Sequence, residues 1–316
     1  MLSFTISRVI QALPVVFGVT LVTFLLTQII PGDIADTLLG PAASEEARRD
    51  LRAALGLDRS LLHQYWAYLR HLAVGDLGQS ALFGLPVARV LVDRLANTAL
   101  LAVSATAIAS AAGIAIGTWV ALKPGSPRDR GLTVAVLFLN SMPPFWMGLL
   151  LVLVFGLELQ LLPVSGMYAV VDGGGIGDLA AHMILPTFTL AAWSLAIIAR
   201  MTRSSLLEVI NSDYIRTARS RGLSERRIVF RHALPNAIPA VITVIGLQAG
   251  FLLSGAVLTE TVFSWPGIGL AMFQAISARD IALIQGGVML LAIVFVVINF
   301  VVDVLYACVN PKIKLG

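Results

Sequence analysis

Six arginines lie within residues 213–235, a polar stretch between two long apolar segments: Arg216, Arg219, Arg221, Arg226, Arg227 and Arg231. Guanidinium groups form ion pairs and several hydrogen bonds with anionic partners. The residue types therefore indicate docking on another protein or on lipid headgroups.

Helix-capping residues predict the local structure of this stretch. Asp213 is typical of an N-cap, and Gly222 stands where a helix ends in a left-handed residue, a conformation that glycine adopts without a steric penalty. Ser224 can cap a second helix with Glu225 in its first turn. Pro235 suits the start of the next apolar helix, where its missing N–H is not needed. We therefore expect two short helices that meet at an elbow.

Other chemically active residues are sparse. The single cysteine, Cys308, excludes an intrachain disulfide, and the four histidines lack metal-ligand spacing. The three lysines are followed by Pro, Ile and Leu, so the chain has no Walker A loop, and a partner must bind any ATP that drives it. Ser254-Gly255 is the one hint of an intramembrane hydrolase, but small polar residues are common where membrane helices pack. No catalytic or metal site is predicted.

Composition indicates an integral membrane protein. Of 316 residues, 58% are apolar and 13% are charged, about half the charged fraction of a soluble domain. The first apolar run, residues 9–30, would span about 33 Å as a helix, enough to cross the hydrocarbon core. Five further spans are predicted at residues 98–122, 132–157, 183–201, 238–258 and 284–308. The fold class is therefore all-α, with six transmembrane helices.

The distribution of Lys and Arg predicts the orientation of these spans. One face carries 14 of them and the other 8, of which seven lie in the long polar segment of residues 31–96. The positive-inside rule then places both termini and the elbow in the cytoplasm and the long segment outside. Within that outer segment, helices are expected to begin at Ser44 and to cover residues 60–72.

An interruption is predicted inside the third span. Pro143 and Pro144 must kink or break the helix, and irregular backbone at membrane depth is tolerated where it is buried or lines a cavity. Asn140, Ser141 and Pro143 are therefore candidate pathway residues, and a simple packing kink is the alternative.

The elbow resembles the EAA loop of ABC importer permeases. Aligned on Gly222, that pattern falls on Arg216-Thr217-Ala218 and on His232-Ala233-Leu234-Pro235, with Arg, Thr and His replacing Glu, Ala and Ile. The form is similar to the dipeptide, oligopeptide and nickel branch. The resemblance implies a coupling loop for partner ATPases within residues 203–235, formed by Asp213, Tyr214, Arg216, Thr217, Ala218, Arg221, Gly222, Leu223, Leu234 and Pro235. Tyr214 and Ala218, four residues apart, are expected to share a face that fills an ATPase groove.

Three further segments carry the same resemblance. They are residues 55–58 with 75–80, residues 260–269 with the pair Arg279-Asp280, and Asp303 with residues 310–313. The second segment implies a partly embedded external turn, with Trp265 at the membrane interface and gate candidates at Glu260, Pro266, Gly267, Arg279 and Asp280. For Asp303 inside the last span, structural pairing is the expectation.

The resemblance implies a type I ABC importer permease of the bacterial inner membrane. Residues 1–96 would hold the first helix and an external cap, residues 97–308 the permease core, and residues 309–316 a cytoplasmic tail. Such a chain would pair with a second, similar permease, two ATPases that bind ATP and Mg, and an extracytoplasmic substrate-binding protein. The implied cargo is di- or oligopeptides, with nickel, another metal chelate or glutathione as the alternative.

Rival interpretations explain less of the sequence. A DNA-binding helix-turn-helix also has two helices and many arginines, but membrane helices adjoin both ends of the elbow, and no nucleic-acid partner is expected. A basic loop that merely sets topology explains the arginines and not the spacing of Gly222 and Leu234-Pro235. A stand-alone secondary transporter would show inverted repeats and paired acids at the bilayer centre.

Overall fold

A computed structural model describes residues 2–29, 39–40, 43–171 and 173–309. In these ranges the chain is helical without an extended strand, and one isolated bridge joins Gln79 to Pro86. The predicted motif at residues 310–313 and the side chains of Ser254, Asp303 and Cys308 lie outside the described part. The chain divides into two compact units, residues 1–97 with 267–296 and residues 98–266 with 297–316.

Twelve helices follow one another in the described residues. In chain order they are α1 (Leu2–Ile29), α2 (Glu45–Leu55), α3 (Leu61–Ala73), α4 (Val87–Ala121), α5 (Pro127–Ser141), α6 (Pro144–Leu151), α7 (Ile176–Ile210), α8 (Asp213–Ser220), α9 (Glu225–Arg227), α10 (Leu234–Val262), α11 (Ile268–Ala278) and α12 (Ile281–Val309). Two π-helical stretches extend them: Val152–Glu158 after α6, and Ile228–Ala233 between α9 and α10.

Five of the predicted spans have a counterpart that is long and apolar enough to cross a membrane. They are α4, α7, the run Glu225–Leu252 and Ile281–Val302 within α12, with the bent pair α5 and α6 as the fifth. The helix α1 has 28 residues, and its apolar part among the described residues is Leu13–Leu25. All-α membrane architecture is therefore confirmed, whereas a sixth crossing by α1 stays a prediction.

The first unit contains the two predicted helices of the polar segment. The Ser44 hydroxyl caps α2 by accepting the Ala47 N–H at 3.2 Å, and Gly56 closes that helix at a φ of 68°. Aromatic side chains join α3 to α1, where the Tyr65 hydroxyl lies 2.9 Å from that of Thr20. A separate apolar cluster, including Val87, joins α4 to α11 and α12.

Close packing of α4 against α7 organises the second unit. A Cβ at Gly113 would collide with Ile198, and one at Gly117 would collide with the Ala199 carbonyl and Thr202, so the backbones meet where α4 has no side chains. The main core beside this contact includes Trp265, whose side chain is 0% exposed. The prediction that Trp265 lies at the membrane interface was therefore wrong, because the indole packs in the protein interior.

Candidate functional site

The first helix of the elbow is α8, and its cap differs from the prediction. The N-cap position belongs to Ser212, and Asp213 is the first helical residue. The Ser212 hydroxyl donates to the Val209 carbonyl at 2.5 Å, so it does not cap the following N–H groups. Asp213 still places a carboxylate in the first turn, where the helix dipole favours it.

Gly222 forms the elbow in the conformation that the sequence predicts. Its φ is 78°, in the left-handed region, and its N–H donates to the Arg219 carbonyl at 2.9 Å. The Arg219 guanidinium spans the elbow and donates to both Glu225 oxygens, at 2.7 and 3.2 Å. This hydrogen bonding raises the pKa of Arg219 above its usual value, which keeps the bridge ionised.

The second helix of the elbow is the start of a much longer one. Ser224 occupies the N-cap position, as predicted, although its side chain makes no capping hydrogen bond. From Glu225 the chain continues through α9 and a π-helical stretch into α10 without a break. Pro235 offers no N–H, and its ring crowds the carbonyl four residues earlier, whereas π-helical bonding at a five-residue spacing accommodates both. The predicted separate short helix is therefore the first part of a longer helix that contains a predicted span.

One side of the elbow is buried and the other side is exposed. Ile215 of α8 packs against α7, α4 and the start of the next helix in a cluster that we call the elbow cluster: Ala121, Leu206, Ile215, Ile228, Val229, Ala233 and Ala237. Ala218, Leu223 and Leu234 pack on this cluster. The exposed predicted residues are Asp213, Tyr214, Arg216, Thr217, Arg221, Gly222 and Pro235.

This burial corrects one expectation about the docking face. Ala218 packs inward with the elbow cluster, while Tyr214 is 47% exposed and its hydroxyl reaches the His232 carbonyl at 3.4 Å. Ala218 is therefore partly covered by the elbow cluster, and Tyr214 is the more exposed of the two. The outward surface is formed by Tyr214 with the neighbouring polar and basic side chains.

The predicted interruption of the third span is a sharp bend. The axes of Pro127–Ser141 and Pro144–Glu158 meet at 99°. Asn140, Ser141 and Pro143 are exposed at this bend, and the Ser141 hydroxyl donates to the Leu137 carbonyl at 2.8 Å. The bend thus presents polar side chains on the surface of this chain.

Glu260 lies inside the protein rather than in an external loop. α10 continues to Val262, since no breaker precedes it, and places Glu260 in its last turn with 0% exposure. The Thr98 hydroxyl donates to its Oε1 at 2.7 Å. A buried carboxylate needs such partners, so this pair ties α10 to α4. Pro266 is partly buried, and Gly267 is the buried N-cap of α11.

Asp280 anchors a loop to the start of α12. One of its carboxylate oxygens accepts the Leu283 N–H at 3.1 Å, and the other accepts the Ser80 hydroxyl at 2.5 Å and the Leu82 N–H at 3.0 Å. The preceding Arg279 is exposed and left-handed, with a φ of 57°. The geometry gives Asp280 an anchoring role in the first unit.

Sequence reasoning did not single out an ion pair between α5 and α7. Arg203 donates through Nη2 to Asp129 Oδ2 at 2.6 Å and through Nε to Oδ1. The Gly125 N–H also donates to Oδ2, at 2.8 Å. The signal that was available is that Asp129 is the lone acid in the basic stretch of residues 123–130.

Known families match both parts of the chain. Residues 113–315 match the family described as binding-protein-dependent transport system inner membrane component, and residues 1–102 match its N-terminal counterpart. The di/tripeptide transport system permease protein DppB of Pseudomonas aeruginosa is 42% identical over 99% of both chains. The dipeptide transport system permease protein DppB of Escherichia coli is 41% identical, and its glutathione transport system permease protein GsiC is 39% identical, each over 99% of both chains.

Solved structures share the fold. The inward-facing MetNI methionine ABC transporter matches with a TM-score of 0.55 at 19% identity, over 70% of this chain and 96% of that one. An amino acid ABC transporter matches with a TM-score of 0.53 at 14% identity, over 70% and 94%. The helical bundle thus has the fold of these ABC transporter chains. The family and the named relatives make the chain a transport component of the inner membrane rather than an enzyme. On its two family matches and its full-length relatives, the chain belongs to the binding-protein-dependent transport system inner membrane components.

Proposed function

We propose that this chain forms half of the translocation pathway for di- and oligopeptides in an ATP-driven importer. The observation that carries the cargo assignment is the identity of 41–42% over 99% of both chains to permeases named for dipeptide and di/tripeptide transport. Glutathione is the second candidate because a relative named for glutathione transport is 39% identical over the same extent. Glutathione is itself a tripeptide, so the two cargoes share charged termini and amide groups.

The partners follow from what the chain lacks and what it exposes. The sequence has no Walker A loop, so ATP and Mg are bound by two partner ATPase subunits. The exposed face of α8, with Tyr214, Arg216, Thr217 and Arg221, is available for one of them. A second, similar permease supplies the other half of the pathway, and a substrate-binding protein delivers the peptide.

Nucleotide binding would act on the pathway through the elbow. The ATPases close on ATP and displace α8, which is joined to α7 and α10 by the elbow cluster. The bundle then switches between outward and inward openings, a two-state change that nucleotide biases. The polar bend at Asn140, Ser141 and Pro143 is the pathway element of this chain.

Both termini and the elbow lie in the cytoplasm in this proposal, in agreement with the Lys and Arg distribution. Single cysteines at Ser60, Ser126, Ser224 and Ser277 in a Cys308→Ser background test the orientation. An impermeant thiol reagent should label intact spheroplasts only at Ser60→Cys and Ser277→Cys. Labelling of Ser224→Cys would reverse the assignment.

Uptake measurements test the cargo. A strain lacking this gene and other peptide importers should lose uptake of labelled dipeptide and tripeptide, and the cloned gene should restore it. Uptake of glutathione and of nickel is measured in parallel. Loss of glutathione uptake alone would replace the first cargo with the second, and unchanged uptake of all peptides would refute both.

A further inference from the structure

The ion pair between Asp129 and Arg203 is more buried and more fully hydrogen-bonded than an exposed ion pair. The Asp129 side chain is 9% exposed, and its carboxylate receives two guanidinium N–H groups and the Gly125 N–H. Two parallel hydrogen bonds fix the relative orientation of the two groups as well as their separation. The pair therefore holds the start of α5 in one register against α7.

At its α7 end, the pair adjoins the elbow cluster. Arg203 lies three residues before Leu206, so the two side chains are neighbours on the helix surface. Leu206 is 0% exposed and packs in the elbow cluster with Ile215 of α8. A displacement of α8 is therefore transmitted by close packing to the turn of α7 that carries Arg203.

At its α5 end, the pair leads to the polar bend. Asp129 lies in the first turn of α5, and Ser141 is the last residue of the same helix. Twelve residues of α-helix form a rigid rod of about 18 Å. Movement of Asp129 with α7 would thus carry the bend with it.

We propose that the Asp129–Arg203 pair is the link that transmits movement of α8 to the bend of the third span. This inference rests on the proposed function and adds positioning residues to it. Neither side chain contacts ATP or cargo in this role. The apolar elbow cluster carries movement of α8 to α7, and the two-pronged pair carries that movement on from α7 to α5.

Neutral and charge-swapped variants test the link in the whole complex, co-expressed with its partner subunits and reconstituted in proteoliposomes. The variants are Asp129→Asn, Arg203→Gln, Arg203→Lys and the swap Asp129→Arg with Arg203→Asp. The matched control is Glu45→Gln, which breaks the exposed ion pair with Arg48, where the Glu45 side chain is 82% exposed. Co-purification of the subunits checks assembly.

Two quantities are measured. The first is labelled dipeptide imported per ATP hydrolysed, which should fall at least about fivefold in the single neutral variants, the lower end of usual coupling factors. The swap should regain most of the loss, and Glu45→Gln should match the wild type. The second is the change that ATP causes in the thiol-labelling rate of Asn140→Cys in a Cys308→Ser background. This change should disappear when the pair is broken.

The outcomes separate this inference from the proposed cargo. The labelling readout needs no cargo, so a wild-type complex that imports no dipeptide refutes the proposed function, while the labelling still decides the link. Single variants with wild-type coupling and labelling overturn the link, as does a swap that stays uncoupled. If the neutral variants do not assemble, Arg203→Lys decides, because it keeps the charge and loses the two-pronged contact. Wild-type values in Arg203→Lys would then refute the proposal.

Discussion

Replacing Gly222 with valine tests whether the shape of the elbow drives transport. Gly222 has a φ of 78°, and apart from its two chain neighbours a Cβ built there would meet no atom of the described residues within 4 Å. The substitution therefore adds no clash inside the chain, and its effect comes from the backbone. The left-handed region costs a residue with a Cβ about 1–2 kcal/mol, and a β-branched residue more.

Two of the interactions that hold the elbow at Gly222 are of similar size to this strain. The Arg219–Glu225 pair has side chains 41% and 64% exposed, and such exposed pairs contribute about 0.2–1 kcal/mol. Partial burial of Leu223 adds about 1 kcal/mol, a fraction of the value for a fully buried leucine. A strain of about 1–2 kcal/mol lowers the ratio of native to displaced elbow conformations about five- to thirtyfold. Gly222→Val should therefore shift α8 while the membrane helices remain folded.

The assay is reconstitution with the partner subunits, with dipeptide uptake and ATP hydrolysis measured on the same vesicles. Gly222→Val should assemble, lose most of its uptake and alter the ATPase stimulation by the binding protein. Gly222→Asn is the matched control, because asparagine tolerates the left-handed region and should retain most activity. Normal coupled transport by Gly222→Val would refute the proposal that displacement of α8 switches the pathway. Equal losses in both variants would show that side-chain bulk against a partner, rather than backbone strain, is responsible.

Two further substitutions test the buried polar and aromatic contacts. Trp265→Ala removes a fully buried indole and should destabilise the chain by about 3–5 kcal/mol, seen as a lower midpoint of thermal unfolding in detergent. Trp66→Ala, at a tryptophan that is 55% exposed, should shift the midpoint much less, and equal shifts would contradict the packing of Trp265. Asp280→Ala leaves the Leu82 and Leu283 N–H groups without their acceptor, at about 1–3 kcal/mol each, and should speed hydrogen exchange at both amides. Asp280→Asn keeps an acceptor and should have a smaller effect, and unchanged exchange at Leu82 in Asp280→Ala would disprove the anchoring.

Features that depend on a few adjacent residues could be predicted from the sequence. The left-handed elbow at Gly222, the cap at Ser44 and the break at Pro143 all follow from backbone sterics or from one local hydrogen bond. The apolar runs likewise predicted the long helices, because hydropathy over about 20 residues is a property of the chain itself. These features need no knowledge of what packs against them.

Features that depend on packing were predicted less well. Asp213 and Ser212 are both acceptable caps, and the helix begins one residue away from the predicted start. Ala218 and Tyr214 are four residues apart on one helix, but packing against the elbow cluster partly covers Ala218 and leaves Tyr214 exposed. Tryptophan is common at membrane interfaces, yet the indole of Trp265 packs in the core beside α7. In each case a neighbouring helix decided between two locally acceptable choices.

Polar pairs between residues far apart in the sequence are the hardest features to predict. One of them, Asp129–Arg203, is the proposed link between α7 and α5. Thr98 and Glu260 are 162 residues apart, and Asp129 and Arg203 are 74 apart. A charge at the edge of an apolar run requires a partner, so each acid signals that a pair exists. The choice of partner depends on how the packed helices are rotated and how deep they lie. The sequence does not determine either, because the apolar faces of the helices resemble one another. In the proposed mechanism the apolar elbow cluster carries movement of α8 to α7, and the Asp129–Arg203 pair, which fixes orientation as well as separation, carries it on to α5.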